Sequence, residues 1–354
     1  MALTLDNILH ALIIFQGLLL AAFLFTHKRL RDRLLGGILI LLAAQMLGLF
    51  LTNLQIGGSF FGNINCMYGF LYGVLFFFYT RSITRQNFAL RPADALHLIP
   101  FGLSVAGVIA TGGAFCQPKV YFAYVLSISI YILLCFFEIR RYKKIVRNNY
   151  SRMEMLNLDW LQWAFVLFTI IILADFFSFA FFILGLPNEW QGSLVLALIL
   201  VFINTLYFKG LRQAEIFSGV SREDAELSTQ LESTRQLDLS ESEYQELISQ
   251  LEGHLKDNEG YCDPNLTIGD LADQLNFPKR RLSQLINAHY GQNFVDFINT
   301  YRIEKAKERL LHPKDEKETI LEVMYEVGFN SKSSFNTVFK KKTGLTPSQY
   351  KDRD

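Results

Sequence analysis

Two short stretches concentrate hydrogen-bond donors with no acid among them. In "PKRRLSQLINAHYG", residues 278–291, Lys279, Arg280, Ser283, Gln284 and Asn287 face outward from a predicted helix whose other side carries Leu282, Leu285 and Ile286. In "SKSSFNTVFKKKTG", residues 331–344, Lys332, Ser333, Asn336, Thr337 and Lys340 point outward, opposite Phe335, Val338 and Phe339. Rows of this kind bind anions and hydrogen-bonding edges and transfer no chemical group. A polar, Lys-rich helix of this type suits nucleic acid. Elsewhere there is no Ser/His/Asp set, no His/Asp metal spacing and no Gly-rich phosphate loop, so the sequence indicates no enzyme, no metal and no cofactor.

The neighbouring residues explain how such rows would be held. "LTIGDLADQLNF" starts with Thr267 as an N-cap and puts Ile268, Leu271, Ala272 and Leu275 on one face. A tight turn leads into the first basic helix, with Pro278 near its first turn and Gly291 as its C-cap. The plan then recurs: "ETILEVMYEVGFN" buries Ile320, Val323, Met324 and Val327, ends at Gly328, and hands over to a helix capped by Ser331. Two short helices joined by a turn, the second basic on its exposed side, predict a helix-turn-helix, here twice. Between the units, "NFVDFINTYRIEKAKERLL" is an amphipathic helix whose Phe294, Phe297, Ile298, Tyr301, Ala306 and Leu310 are expected to join both into one core. Ser240 with Glu243 makes a capping box ahead of Tyr244, Leu247, Ile248, Leu251 and Leu255, a helix expected to open this domain at about residue 240.

The rest of the chain is of another kind. Net charge over all 354 residues is +1, yet the residues before Lys209 hold 14 basic and 8 acidic side chains against 20 and 25 from there on. Seven apolar runs, at about 8–26, 34–53, 64–80, 95–115, 120–138, 160–184 and 191–208, each approach the ~20 residues that cross a bilayer. Their loops alternate: the first, third and fifth carry 13 Lys and Arg, whereas the second, fourth and sixth carry only Lys119. Basic loops stay cytoplasmic. The fold expected is therefore all-α: a seven-helix transmembrane bundle over residues 1–210, N-terminus outside, followed by a cytosolic double helix-turn-helix domain over 240–354. The opening "MALTLDNILH" lacks a basic start and no cleavage site follows, so the first run is expected to be retained rather than removed as a leader.

Residues 211–239 lie in an acidic region; from 215 to 259 there are twelve acids and three basic residues. Phe217, Val220, Leu227 and Leu231 fit heptad seam positions that Asp224 and Asp238 interrupt, leaving two readings: a short helix that forms a homodimer, or a solvated linker. Asp175, in "IIILADFFSFAFF", is the deepest acid in the spans, and either serves a ligand or proton site or is a hydrogen-bonded structural group. Cys66 and Cys116 both fall on the outer side, bridged or as two free thiols.

From about Tyr261 to Tyr350 the chain resembles the DNA-binding domain of the AraC/XylS class of bacterial transcription regulators. "ILEVMYEVGFNSKSSFNTVFKKKTGLTPSQY" carries most of the likeness, with "LSQLIN…YG" and "FINTYRIEKAKERLL" adding to it. Met324 departs from the small residue usual in that class, and slight repacking is expected there. The resemblance implies two recognition helices in successive major grooves, about 34 Å apart. It assigns base contacts to Arg280, Ser283 and Gln284 in the first helix and to Lys332, Ser333, Asn336 and Thr337 in the second. Lys279, Arg281, Lys340 and Lys341 fall to phosphates. Net charge does not carry this reading, since residues 261–354 hold 15 basic and 13 acidic side chains. Two functions follow as expectations. One is a membrane-tethered one-component regulator of the bacterial inner membrane that binds promoter DNA under control of a small-molecule or membrane signal. The other is a transporter or membrane enzyme with an appended helical protein-interaction domain.

Overall fold

The structure, a computed structural model, describes all residues except 1–3, 57–59, 112–116, 152–157, 186–188, 217–218, 222, 227–239, 316 and 354. Among the described residues the regular elements are helices, and an isolated antiparallel bridge pairs Tyr150 with Thr267. The chain packs as two compact units. One comprises Met1–Arg140 with Leu158–Gly219, the other Arg141–Asn157 with Val220–Asp354.

The first unit holds α1 (Leu5–Phe25), α2 (Leu30–Asn53), α3 (Phe60–Ile64), α4 (Gly69–Thr84), α5 (Ile99–Ala110), most of α6 (Pro118–Asn149), α7 (Asp159–Ile183) and α8 (Glu189–Ile216). Among the described residues, six helices are long and apolar enough to cross a bilayer. The expected third run is built differently: α3, a 3-10 turn over Asn65–Tyr68 and then the 16-residue α4. Two glycines of α4 stand against tyrosines of α6. A Cβ on Gly69 would collide with the Tyr124 ring of α6, and one on Gly73 would lie 2.8 Å from Tyr131. These two glycines, one turn apart, let α6 approach α4 closely. Other side chains of α4 are buried elsewhere: Phe76 packs against Phe165 and Phe168 of α7 and Phe202 of α8, and Val74 and Tyr79 are buried too.

The outward faces are apolar. Leu126, Ile130, Leu133 and Phe137 form an exposed row along α6, and Trp163, Ile170, Leu173 and Phe177 another along α7. Polar groups inside pair across helices: Gln16 Nε2 donates to Asn204 Oδ1 at 2.8 Å, and the Tyr72 hydroxyl to Gln45 Oε1 at 2.6 Å. Unsatisfied groups of this kind are costly away from water. The basic stretch after residue 138 does not form a loop at once. α6 continues through it to Asn149, and from Arg141 it belongs to the second unit.

The second unit contains α9 (Glu241–Asp257), α10 (Ile268–Gln274), α11 (Lys279–Tyr290), α12 (Phe294–Leu311), α13 (Ile320–Glu326), α14 (Lys332–Thr343) and α15 (Pro347–Lys351). The Ser240–Glu243 capping box is present, and Ile248, Leu251 and Leu255 of α9 are buried as its periodicity requires. The single core expected here is in fact two. Phe294, Phe297 and Ile298 from the start of α12 pack with α9, α10 and α11, whereas Ala306 and Leu310 from its end pack with α13 and α14. An 18-residue helix spans about 27 Å, too long for both ends to share one cluster.

Of the linker residues, Phe217, Leu227, Leu231 and Asp238 lie outside the described residues. Cys116 does too, and so does the side chain of Cys66.

Candidate nucleic-acid interface

Each helix-turn-helix is built by short-range chemistry. In the first, Thr267 Oγ1 accepts from the Asp270 amide at 3.1 Å while Asp270 Oδ2 accepts from the Thr267 amide at 2.8 Å. This capping box satisfies amides that α10 leaves unpaired. At the turn Asn276 takes a left-handed φ of 51°, and the Phe277 amide donates to the Ala272 carbonyl at 2.8 Å. Pro278 then stands as N-cap of α11, one position earlier than inside its first turn, and Gly291 closes the helix with φ 62°.

The second unit repeats the plan. Thr319 and Glu322 form the box, at 3.2 and 2.7 Å. Gly328 takes φ 91°, and the Phe329 amide donates to the Met324 carbonyl at 3.0 Å. Ser331 caps α14 and Gly344 ends it with φ 81°. Glycine is required at 328, because a Cβ there would sit 2.5 Å from the Cys262 carbonyl oxygen. Met324 is fully buried in the second core, where it fills the space a smaller residue would leave.

The side chains predicted to meet DNA separate by exposure. On α11, Arg280 and Asn287 are exposed and Gln284 half-buried, a row at positions i, i+4 and i+7. On α14 the corresponding row is Ser333, Thr337 and Lys340, all exposed. Lys332, Lys341 and Arg281 are exposed as well, and Asn336 is half-buried. Ser283 departs from its expected outward position, being 1% exposed. It lies one turn from both Lys279 and Ile286, on the side of α11 that turns toward the body of the domain. The third lysine of the run, Lys342, turns away to donate to Thr300 Oγ1 at 2.7 Å. Lys340, Lys341 and Lys342 occupy the last turn of α14, where positive charge complements the helix dipole.

Lys279 is the other exception. Its ammonium is paired with Asp224, whose second carboxylate oxygen accepts from the Tyr150 hydroxyl at 2.8 Å. Burial pushes the Asp224 carboxyl up, but the Lys279 contact and charge, with the Tyr150 and Ser221 hydroxyls, outweigh it and hold the group below its ordinary value.

One residue that sequence reading passed over lies behind the first unit. Arg302 of α12 reads as a surface charge, yet it is 2% exposed. Its Nε donates to the Tyr261 carbonyl at 2.6 Å, and Nη2 to the Asp263 carbonyl at 2.7 Å and to Ser151 Oγ at 3.0 Å. Its guanidinium also lies 5.8 Å from the Phe329 ring, so it braces the turn of the second unit from the side of the first. No sequence period marks such a residue, because its partners are backbone carbonyls.

Asp175 is placed far from these helices in sequence, on α7. Its Oδ2 accepts from the Tyr121 hydroxyl at 2.6 Å and from Tyr124 at 3.2 Å, both from α6. No group of His, Cys, Asp and Glu able to hold a metal ion occurs among the described residues.

Residues 271–353 match the helix-turn-helix domain family HTH_18. The chain is 52% identical over 50 residues to an uncharacterized HTH-type transcriptional regulator in the cgkA 5′ region of Pseudoalteromonas carrageenovora, covering 14% of this chain and 27% of that one. It is 34% identical over 110 residues to the uncharacterized HTH-type regulator YfiF of Bacillus subtilis, covering 30% and 33%. A regulator of Staphylococcus aureus (strain MSSA476) is 34% identical over 87 residues, 25% of this chain and 11% of that protein. The chain thus spans a third or less of the length of these relatives. Among solved structures, the C-terminal domain of AraT, a response regulator from Geobacillus stearothermophilus, is 31% identical and covers 27% of this chain and 77% of that one, with a TM-score of 0.25. These relatives are all named as HTH-type transcriptional regulators.

Proposed function

We propose that the chain is a membrane-tethered one-component transcription regulator. Its apolar half forms a seven-span bundle in the bacterial inner membrane, N-terminus outside, with the third run completing the count. Its domain from about residue 240 stands in the cytoplasm and binds promoter DNA. The observation that carries this reading is the doubled helix-turn-helix, each unit presenting a basic, polar row on its second helix. Arg280 and Gln284 read bases in one major groove, and Lys332, Ser333, Asn336 and Thr337 in the next. Arg is suited to guanine, and Gln and Asn to adenine. Arg281, Lys340 and Lys341 bind phosphates, as does Lys279 once released from Asp224. Ser283 supports α11 from within rather than touching a base. The signal enters in the bundle, where the Asp175 carboxylate held by two tyrosine hydroxyls is the candidate site.

Recovery of crosslinked DNA from cells expressing the full chain tests the reading. It predicts a shared sequence motif with two half-sites and binding that weakens steeply with salt. Fragments without a common motif would contradict it. A reporter active only outside the membrane tests the topology, with activity expected after residue 188 and none after residue 148.

A further inference from the structure

The turn at the C-terminal end of α6 docks into the first helix-turn-helix unit. Asn149 is 1% exposed and Ser151 4%. The Ser151 amide donates to the Leu266 carbonyl at 3.1 Å, and Tyr150 pairs with Thr267, the N-cap of α10. The buried Arg302 donates to Ser151 twice, to Oγ at 3.0 Å and to the carbonyl at 3.4 Å. This is a built receptor for one short segment. It takes backbone pairing on one side and a buried guanidinium on the other, which a surface turn brushing the domain would not need.

The same turn reaches the DNA-facing helix. The Tyr150 hydroxyl holds Asp224, and Asp224 holds the ammonium of Lys279. Asp224 is 6% exposed, and among the described residues the charged and titratable groups against it are Lys279 and Tyr150, with the Ser221 hydroxyl beside them. A lysine paired in this way cannot also neutralise a phosphate, and the carboxylate beside it repels one. At the equivalent place in the second unit, Lys332 is exposed.

We propose that the Tyr150–Asp224–Lys279 chain is a restraint on DNA binding, and that the docked turn of α6 is the intramolecular interface through which the membrane unit sets it. The proposal rests on the DNA-binding reading above. A signal that shifts α6 along its axis or about it moves Tyr150, loosens Asp224 and frees Lys279 for a phosphate. Binding to all sequences then tightens, because a lysine on a phosphate carries no base information.

The test uses the full chain in phosphatidylcholine nanodiscs and a duplex of randomised sequence, with affinity measured over a range of salt concentrations. Asp224→Asn is expected to tighten binding several-fold and to steepen the salt dependence by about one unit, the signature of one more neutralised phosphate. Lys279→Ala in the Asp224→Asn background is expected to abolish that tightening. Tyr150→Phe removes one hydroxyl without disturbing packing, and is expected to act in the same direction with a smaller effect. Faster labelling of Lys279 by an amine reagent in Asp224→Asn than in the wild type checks the ion pair without DNA. If the wild type binds the duplex and Asp224→Asn binds no better, the restraint is wrong and the DNA-binding reading stands. If none of these proteins binds the duplex, the DNA-binding reading fails and the restraint with it.

Discussion

In the second helix-turn-helix unit Lys332 stands exposed at the start of α14; at the same place in the first, Lys279 is held by Asp224. Ser283 of α11 is buried where Asn336 of α14 is only half-buried. The capping boxes and terminating glycines of the two units are otherwise alike, although Asn276 stands at one turn and Gly328 at the other, and Pro278 at one N-cap and Ser331 at the other. The difference lies in what each unit leans on. The first is packed against α9 and against the turn 149–151, whereas the second has its own aromatic core of Phe329, Phe335 and Phe339. One duplicated plan thus yields a unit whose second helix is tied to Asp224, and a unit that packs on its own core and meets the first at Gly328 and Phe329.

The largest expected effect tests whether the two cores are separate. Phe335→Ala removes a fully buried ring from the second core and should cost about 3–5 kcal/mol. Hydrogen exchange should speed up in α13 and α14 while α10 and α11 keep their protection. Equal loss in both would mean that the units share one core after all.

Next in size is the turn. Gly328→Ala places a side chain at φ 91° and against the Cys262 carbonyl, and should cost about 2–4 kcal/mol in thermal unfolding. Its counterpart Asn276 is exposed and already holds a side chain at φ 51°, so Asn276→Ala should cost only about 1 kcal/mol. A similar cost for both substitutions would show that the turns are not held by different neighbours.

The reading residues come third. Arg280→Ala and Asn336→Ala should each weaken binding to a selected site by about 1–3 kcal/mol and relax preference at different base pairs. Lys340→Ala should weaken all sequences alike and reduce the salt dependence by about one unit. Identical sequence profiles for Arg280→Ala and Lys340→Ala would remove the distinction between reading and positioning side chains.

The smallest effect concerns acid. Glu326 is held below its ordinary value, chiefly by contact with Lys314; burial opposes this and the Arg309 charge adds to it. A carboxyl depressed by folding stabilises the protein above its unfolded value, near 4.3 for Glu, and loses that contribution as pH falls through the folded value. Between about pH 5 and pH 3 the second unit should therefore lose stability more steeply in the wild type than in Glu326→Gln. Parallel pH curves would show that the contact contributes nothing.

These contrasts also mark what the amino-acid sequence could convey. Thr267, Ser331, Gly291, Gly328 and the Ser240–Glu243 box were all legible, because a cap or a left-handed residue acts on its own few neighbours. The burial of Ser283 was not, since its type allows either side of a helix and only the rotation of α11 against the domain decides. Arg302 and Ser151 lie 151 positions apart, and Lys279 and Asp224 lie 55 apart. Pairings at such distances leave no period in the sequence. In the apolar half, length and composition pointed to a helix over 64–80, but not to the 3-10 turn over Asn65–Tyr68 before Gly69, which no apolar period marks.

The most direct test of the central claim, that one chain carries two readers for adjacent grooves, is a hydroxyl-radical footprint of the full chain on DNA recovered with it from cells. Two protected patches on one face of the duplex are predicted, about one helical turn apart, with Arg280→Ala erasing one and Asn336→Ala the other. A single patch, or both substitutions acting on the same bases, would contradict it.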